Sequence, residues 1–296
     1  MQYIYLLSIF LIYFPLNITN KLCSNGITNK VLLFKISLVK AVFGTVAGII
    51  IFFIKRESFW VDTAMLLSAV MFGMMLAACT IFTLYSMQIT SIAITSMSAA
   101  ASVIIPIGFD KLFFGENITT GKIIGLCLFL VSAYFIVGNS SDSKRKFTLK
   151  TFIICIMILI TNGLGAVAIQ SFAKYSNTGN DSLFMALSYA VNAILLLIAY
   201  LIVLSKNNKK VSNARTPGKK LFILGGASAV FQFVTQQIQT NAAVVVPATI
   251  LFSFSTASGV ITGAVVGWIM FKEKLSVKNI IGILTGIISL IMLNSL

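Results

Sequence analysis

The sequence predicts an all-α polytopic membrane protein of ten transmembrane helices arranged as a 5+5 inverted repeat, and three observations carry that prediction. Hydrophobic residues make up 58% of the 296 residues and charged residues 10%, with a mean hydropathy of +1.00. That is too little polar surface to coat a soluble globule of this size. Ten apolar runs approach or exceed the ~20 residues that cross a bilayer as helix. A motif also occurs twice, about half the chain apart: Phe114-Gly-Glu-Asn-Ile-Thr followed by Lys122-Ile-Ile-Gly125, and Phe271-Lys-Glu-Lys-Leu-Ser followed by Asn279-Ile-Ile-Gly282.

The first run, Gln2–Asn20, has no charge before Lys21 and no small-residue cleavage site, so it reads as a retained first helix and not a signal. Val31–Ile54, Asp62–Ser86 and Thr90–Leu112 follow, and Thr119–Gly138 begins just after the first glutamate turn. The polar segment 139–146, containing Ser140-Ser-Asp-Ser-Lys-Arg-Lys146, divides the runs five and five. Beyond it come Phe147–Ala173, Leu183–Leu204, Leu221–Asn241, Val245–Phe271 and Lys278–Leu296. The basic stretch Ser205–Lys220, with Pro217-Gly218, is a solvated turn and not a domain. Residues 1–138 and 147–296 are therefore expected to be two five-helix repeats joined by a polar linker. An odd number of spans in each half forces the second to enter the membrane with opposite orientation, the arithmetic of an inverted repeat.

Composition also narrows function. The 22 Lys and Arg against 7 Asp and Glu would suggest nucleic acid in a soluble protein, but here the basic residues gather in short gaps between apolar runs. That is membrane-facing charge. The four cysteines are scattered singly and imply neither a disulfide framework nor a metal site. Histidine is absent, which removes intramembrane zinc proteases and serine hydrolases with a histidine base. Asp142 and Asp181 lie in loops, while Asp62 and Asp110 sit near helix ends with no motif to pair them as in an aspartyl protease. No enzyme, cofactor or metal is expected.

These residues resemble the ten-helix, EamA-like branch of the drug/metabolite transporter superfamily. The resemblance covers essentially the whole chain and is strongest at Ser96–Val137 and Ser253–Leu293, each with a small-residue helix, a glutamate turn and a glycine-containing closing helix. Thr95-Ser-Met-Ser-Ala-Ala-Ala-Ser102 and Pro106 fit the fourth helix of that pattern. The resemblance implies a cavity lined mainly by the first, third and fourth helices of each half, and alternating access. The first helix departs from the family, carrying Phe14-Pro15-Leu16-Asn17 in place of a tryptophan–glycine pair. Asn17 is accordingly a candidate lining residue.

Glu116 and Glu273 lie in short turns, where a carboxylate caps the following helix, a likelier role than proton coupling. Polar groups inside the spans are better substrate candidates, because each is costly in lipid unless it faces protein or a watery cavity. Gln232, Gln236 and Gln239 follow i, i+4, i+7 spacing and share one face, either as interhelical glue or as cavity lining; lining is preferred. Gln237 points elsewhere, towards a helix contact near the membrane edge. Asn162 and Gln170 are eight apart and read as roughly in phase, with Gly163 and Gly165 between them thinning the helix; they either line the pathway or loosen a gating hinge, with plain close packing the safer reading. Ser96 and Ser98 in the first half correspond to Ser253 and Ser255 in the second, and only some of them can face a cavity. Tyr85 offers a stacking surface. Lys40 sits near the midplane if its helix starts at Val31, where it would attract a carboxylate or phosphate; if the span starts at Ile36, the lysine snorkels to the interface. Snorkelling is the expected fate, since Ile36–Ile54 is nearly long enough to span.

The expected function is transport of a small polar metabolite, an amino acid, nucleoside or similar, by alternating access. A drug exporter on the same fold and a non-transporting scaffold are the alternatives. No span contains an obvious central carboxylate, which disfavours a proton-coupled pump for organic cations. The partners expected are the substrate and the lipid bilayer, with a homodimer compatible because any lipid-facing helix can double as an interface. The setting is the plasma or inner membrane, multi-pass, and the Ile-, Lys-, Asn- and Phe-rich composition suggests a bacterium. Loops after even-numbered runs hold only Lys55, Arg56, Lys111, Lys122 and Lys174, and most other basic residues follow odd-numbered runs. Charge bias thus places both termini outside the cytoplasm, whereas the resemblance implies both inside.

Overall fold

Helices account for nearly all of the described residues in a computed structural model, which covers residues 2–114, 148–206, 218–272 and 277–295 and scattered positions between 121 and 135. The turns of Glu116 and Glu273, the polar segment 139–146 and positions 207–217 of the basic stretch lie outside the described residues. No strand occurs among those described. Among the described residues seven helices are long and apolar enough to cross a membrane, so the protein is membrane-embedded.

The N-terminal part runs α1 (Gln2–Gly26), α2 (Lys30–Lys55), α3 (Thr63–Ile89), α4 (Ile92–Ala100) and α5 (Ile104–Phe114). The C-terminal part runs α6 (Leu149–Tyr175), α7 (Asp181–Lys206), α8 (Lys219–Ala243), α9 (Ala248–Ile269) and α10 (Val277–Ser295). Side-chain caps start several of them. Asn29 accepts from Leu32 N, Asp62 from Met65 N, Ser91 from Ile94 N and Thr148 from Thr151 N, each satisfying an amide the helix leaves unpaired.

Two elements differ from the sequence expectation. Helix α1 continues past Asn20 to Gly26 through Pro15. Lys21, expected in the first loop, is instead buried in this helix and donates to the carbonyls of Met87 and Thr90 at the end of α3. Those terminal carbonyls have no intrahelical partner, which is what an ammonium can supply. The expected single span Thr90–Leu112 is divided into α4 and α5 by a tight 3-10 turn at Ala101–Val103. Pro106 has no N–H for the carbonyl of Ser102 and its ring crowds that residue, so the α-helical ladder is interrupted there.

The helices alternate in direction. At one end the turn after α1, the end of α3 and the starts of α6 and α8 converge: Gln88 donates to Ile27 O, Gly26 packs on Leu221, and the Lys150 ammonium lies 5.1 Å above the Tyr85 ring. At the other end the α2–α3 loop is clamped to the α6–α7 loop. Glu57 accepts the amides of Ser182 and Leu183, Asn180 donates to the carbonyls of Ser58 and Trp60, and Asp62 accepts from Ser176 and Asn177. Trp60 and Trp268, the two tryptophans of the chain, are both exposed, one at each end, where amphipathic rings favour a membrane interface.

Lipid gives helices no hydrophobic reason to associate, so close packing has to hold them. α2 lies against α7 along Gly44 and Gly48, one helical turn apart. A Cβ on Gly48 would come within 2.9 Å of the Ala186 backbone, and one on Gly44 would collide with the Tyr189 ring. α3 packs on α6 and α7, α1 on α8 and α9, α2 on α8, and α4 on α6 and α9. The central core stacks Phe172 on Phe184 with centroids 4.2 Å apart, and Phe72 on the same ring at 5.9 Å. The outward faces of α2 and α7 carry exposed Val46, Ile50, Phe53, Ile194, Ile198 and Leu201, an apolar surface suited to acyl chains.

Candidate functional site

A cavity of about 180 Å³ opens between the helices. Its walls come from α1, α3, the α4–α5 pair, α6, α8 and α9, with Lys40 as the contribution of α2. The periodicity of each helix explains which residues reach it. On α1, Tyr13, Asn17 and Asn20 have i, i+4, i+7 spacing, and on α8 so do Gln232, Gln236 and Gln239; the two helices pack together and present these stripes to the same space. Leu76, Thr80, Thr83 and Met87 form a comparable stripe on α3.

The polar side chains are already oriented by one another. Asn17 donates to Thr262 Oγ1 at 2.9 Å, Gln239 to Ser255 Oγ at 2.8 Å, and Tyr189 Oη to Gln236 Oε1 at 2.5 Å. Lys40 is 4% exposed and its ammonium donates to Asn20 Oδ1 at 2.7 Å. Thr95, Ser96, Ser102, Thr161, Asn162, Thr235 and Thr256 add hydroxyls and an amide to the wall, and Cys79 a thiol. Among the described lining residues none is a carboxylate. The site offers amide and hydroxyl hydrogen bonds in all directions and one positive charge, set against the apolar Phe72, Leu76, Ile169 and Phe252.

Of the residues singled out from sequence, Asn17, Lys40, Ser96, Asn162, Gln232, Gln236, Gln239 and Ser255 line this cavity. The snorkelling expected of Lys40 is corrected: its helix begins at Lys30, so the lysine lies deep in the span and is buried. Four others point elsewhere. Ser98 bonds back to the carbonyl of Ile94. Ser253 is fully buried among helices, on the opposite side of α9 from Ser255's partner Gln239. Gln170 is buried outside the cavity, because eight residues of helix leave it about 80° out of phase with Asn162. Tyr85 packs near the end of α3 against the apolar cluster that holds Cys23, Leu33 and Leu84, beneath Lys150. Gln237 donates to Asp181 and Asn241 at the clamped end.

Sequence reasoning missed Tyr13, Asn20, Cys79, Thr80, Thr83 and Thr235. The signal for the first two was present, since they share a helical face with Asn17. Threonines and a cysteine in apolar helices carry no such signal, because they occur as readily at packing contacts.

No protein-family model matches the chain, and no curated protein matches it. Among solved structures it is similar to one described only as "Crystal structure of protein", at 12% identity, covering 97% of this chain and 98% of that one, with a TM-score of 0.66. The likeness extends along the whole chain and concerns the fold alone.

Proposed function

We propose that this protein is a transporter of small polar metabolites on the drug/metabolite transporter plan, ten helices in a 5+5 inverted repeat with alternating access. The observation that carries the reading is the polar cavity built by α1, α3, α4–α5 and by α6, α8, α9. Counted within the two halves on either side of the polar segment, these are the first, third and fourth helices of each. The packing supports the repeat as well. α1 on α8 answers α3 on α6, α2 on α8 answers α3 on α7, α1 on α9 answers α4 on α6, while α2 on α7 and α4 on α9 answer themselves when the halves are exchanged. Such a pseudo-two-fold arrangement lets one half rock against the other around a shared site. The end carrying the α1–α2 turn and the starts of α6 and α8 holds Lys30, Lys150, Lys219 and Lys220, which favours that end as cytoplasmic and both termini as external, in a bacterial plasma membrane.

Cys79 in the cavity wall supplies the test. In a protein whose other three cysteines are replaced by serine, a membrane-impermeant maleimide should label Cys79 from either face of oriented vesicles. Labelling from one face only, or from neither, would exclude alternating access and favour a scaffold. Broad stabilisation by unrelated lipophilic cations would instead favour an exporter of toxic compounds.

A further inference from the structure

We infer that the cavity takes a small organic acid bearing a single carboxylate, seated on Lys40; this names the substrate class of the transporter reading and rests on it. Lys40 lies ten residues into α2, about 15 Å along the helix axis, and is 4% exposed. Asn20 accepts from it at 2.7 Å, which leaves two of the three ammonium donors with no protein partner among the described residues.

Nor is there a carboxylate among the described lining residues to supply the missing countercharge. Glu57 is spent on the amides of Ser182 and Leu183, Asp181 on Lys55 and Gln237, and Asp62 on Met65, Asn177 and Ser176, all at the clamped end of the bundle. A charge removed from water is tolerated when it is paired and hydrogen-bonded. One lysine is balanced by one negative charge: a monoanion neutralises the cavity, a zwitterion leaves it positive, and a dianion makes it negative. The glutamine stripe then supplies donors and acceptors for hydroxyl or keto groups on the body of the acid. Asn20 is a positioning residue that aims the ammonium.

The experiment measures the thermal midpoint of the detergent-purified protein against short 2-hydroxy, 2-keto and aliphatic monocarboxylates, each paired with its uncharged amide, together with alanine and inorganic phosphate. At least one acid should raise the midpoint while its amide and alanine do not. Lys40→Met should weaken that binding about tenfold or more, the loss expected for a charged hydrogen bond. Asn20→Asp supplies an internal counter-ion and should abolish the shift in a protein that remains folded. The inference is overturned if every acid acts like its amide, if phosphate alone stabilises, or if the shift survives in folded Lys40→Met and Asn20→Asp proteins. Labelling of Cys79 from both faces alongside such a result would leave transport standing and remove only the carboxylate.

Discussion

Tyr189 on α7 gives its hydroxyl to the side-chain oxygen of Gln236 on α8, at 2.5 Å, and so fixes the middle of the glutamine stripe from behind. With its oxygen engaged, Gln236 has its NH₂ group left to present to the cavity. Tyr189 itself is buried and lies against Gly44 of α2, so three helices share the job of aiming one amide.

Removing the Tyr189 hydroxyl should therefore be felt at the cavity. Tyr189→Phe is expected to weaken ligand binding by about 1 kcal/mol, roughly fivefold, with the fold retained. Gln236→Leu should abolish uptake into proteoliposomes while the protein still purifies as a folded species. Uptake unimpaired in Gln236→Leu would return that residue to interhelical glue.

The α2–α7 contact should be intolerant of any side chain at Gly48. Gly48→Ala places a methyl 2.9 Å from the Ala186 backbone, and overpacking of this kind costs about 1–3 kcal/mol. Gly108 has nothing described within 4 Å of an added Cβ, and Gly108→Ala should instead stabilise by up to about 1 kcal/mol through helix propensity. Unfolding midpoints of the two variants in detergent, measured side by side, check the contrast.

The two serines of α9 should respond in opposite ways. Ser253 is fully buried and its hydroxyl has no hydrogen-bond partner among the described residues, so Ser253→Ala should be neutral or stabilising by up to about 1 kcal/mol. Ser255 holds Gln239, and Ser255→Ala should cost about 1 kcal/mol in ligand binding. Equal effects of the two on binding would contradict the placement of the cavity.

Acid should loosen the clamped end. Partial burial pushes the Asp62 carboxyl up, but hydrogen bonds from Met65 N, Asn177 N and Ser176 Oγ outweigh it and leave the pKa below its usual 3.8. A carboxylate depressed in the folded state contributes stability that is present above the unfolded value and is lost as pH falls through the folded one. The thermal midpoint is expected to decline below about pH 4, and Asp62→Asn should flatten that part of the profile. A profile unchanged by the substitution would remove Asp62 from the clamp.

Much of the architecture was legible because membrane helices announce themselves. Unbroken apolar length needs no tertiary information, and a polar side chain at regular spacing in such a run has to face protein or water. That is why Gln232, Gln236 and Gln239 could be read as one face of α8, the face the structure turns to the cavity, whereas Asn17 stood out only through its place in the family resemblance. The same reasoning failed for Lys40, because a lysine near a helix end snorkels or stays buried according to where the helix starts, and Asn29 caps α2 so that it starts at Lys30, six residues before the Ile36 on which snorkelling depended. It failed for Ser253 and Gln170 because hydroxyls and amides are equally at home in a helix contact, and phase along one helix does not say which neighbour lies opposite.

The chain by itself thus determined that it is helical and membrane-embedded, through composition and run length, and which face of α8 is polar, through helical period. Only the tertiary structure decided that the stripes of α1 and α8 enclose a common space, that the Pro106 helix breaks at Ala101–Val103, and that Lys40 meets Asn20 in a cavity wall otherwise free of described charge. The division has a physical cause: transfer from water to lipid is scored residue by residue along the sequence, whereas a cavity exists only where several helices, packed through Gly44, Gly48 and their like, leave room between them.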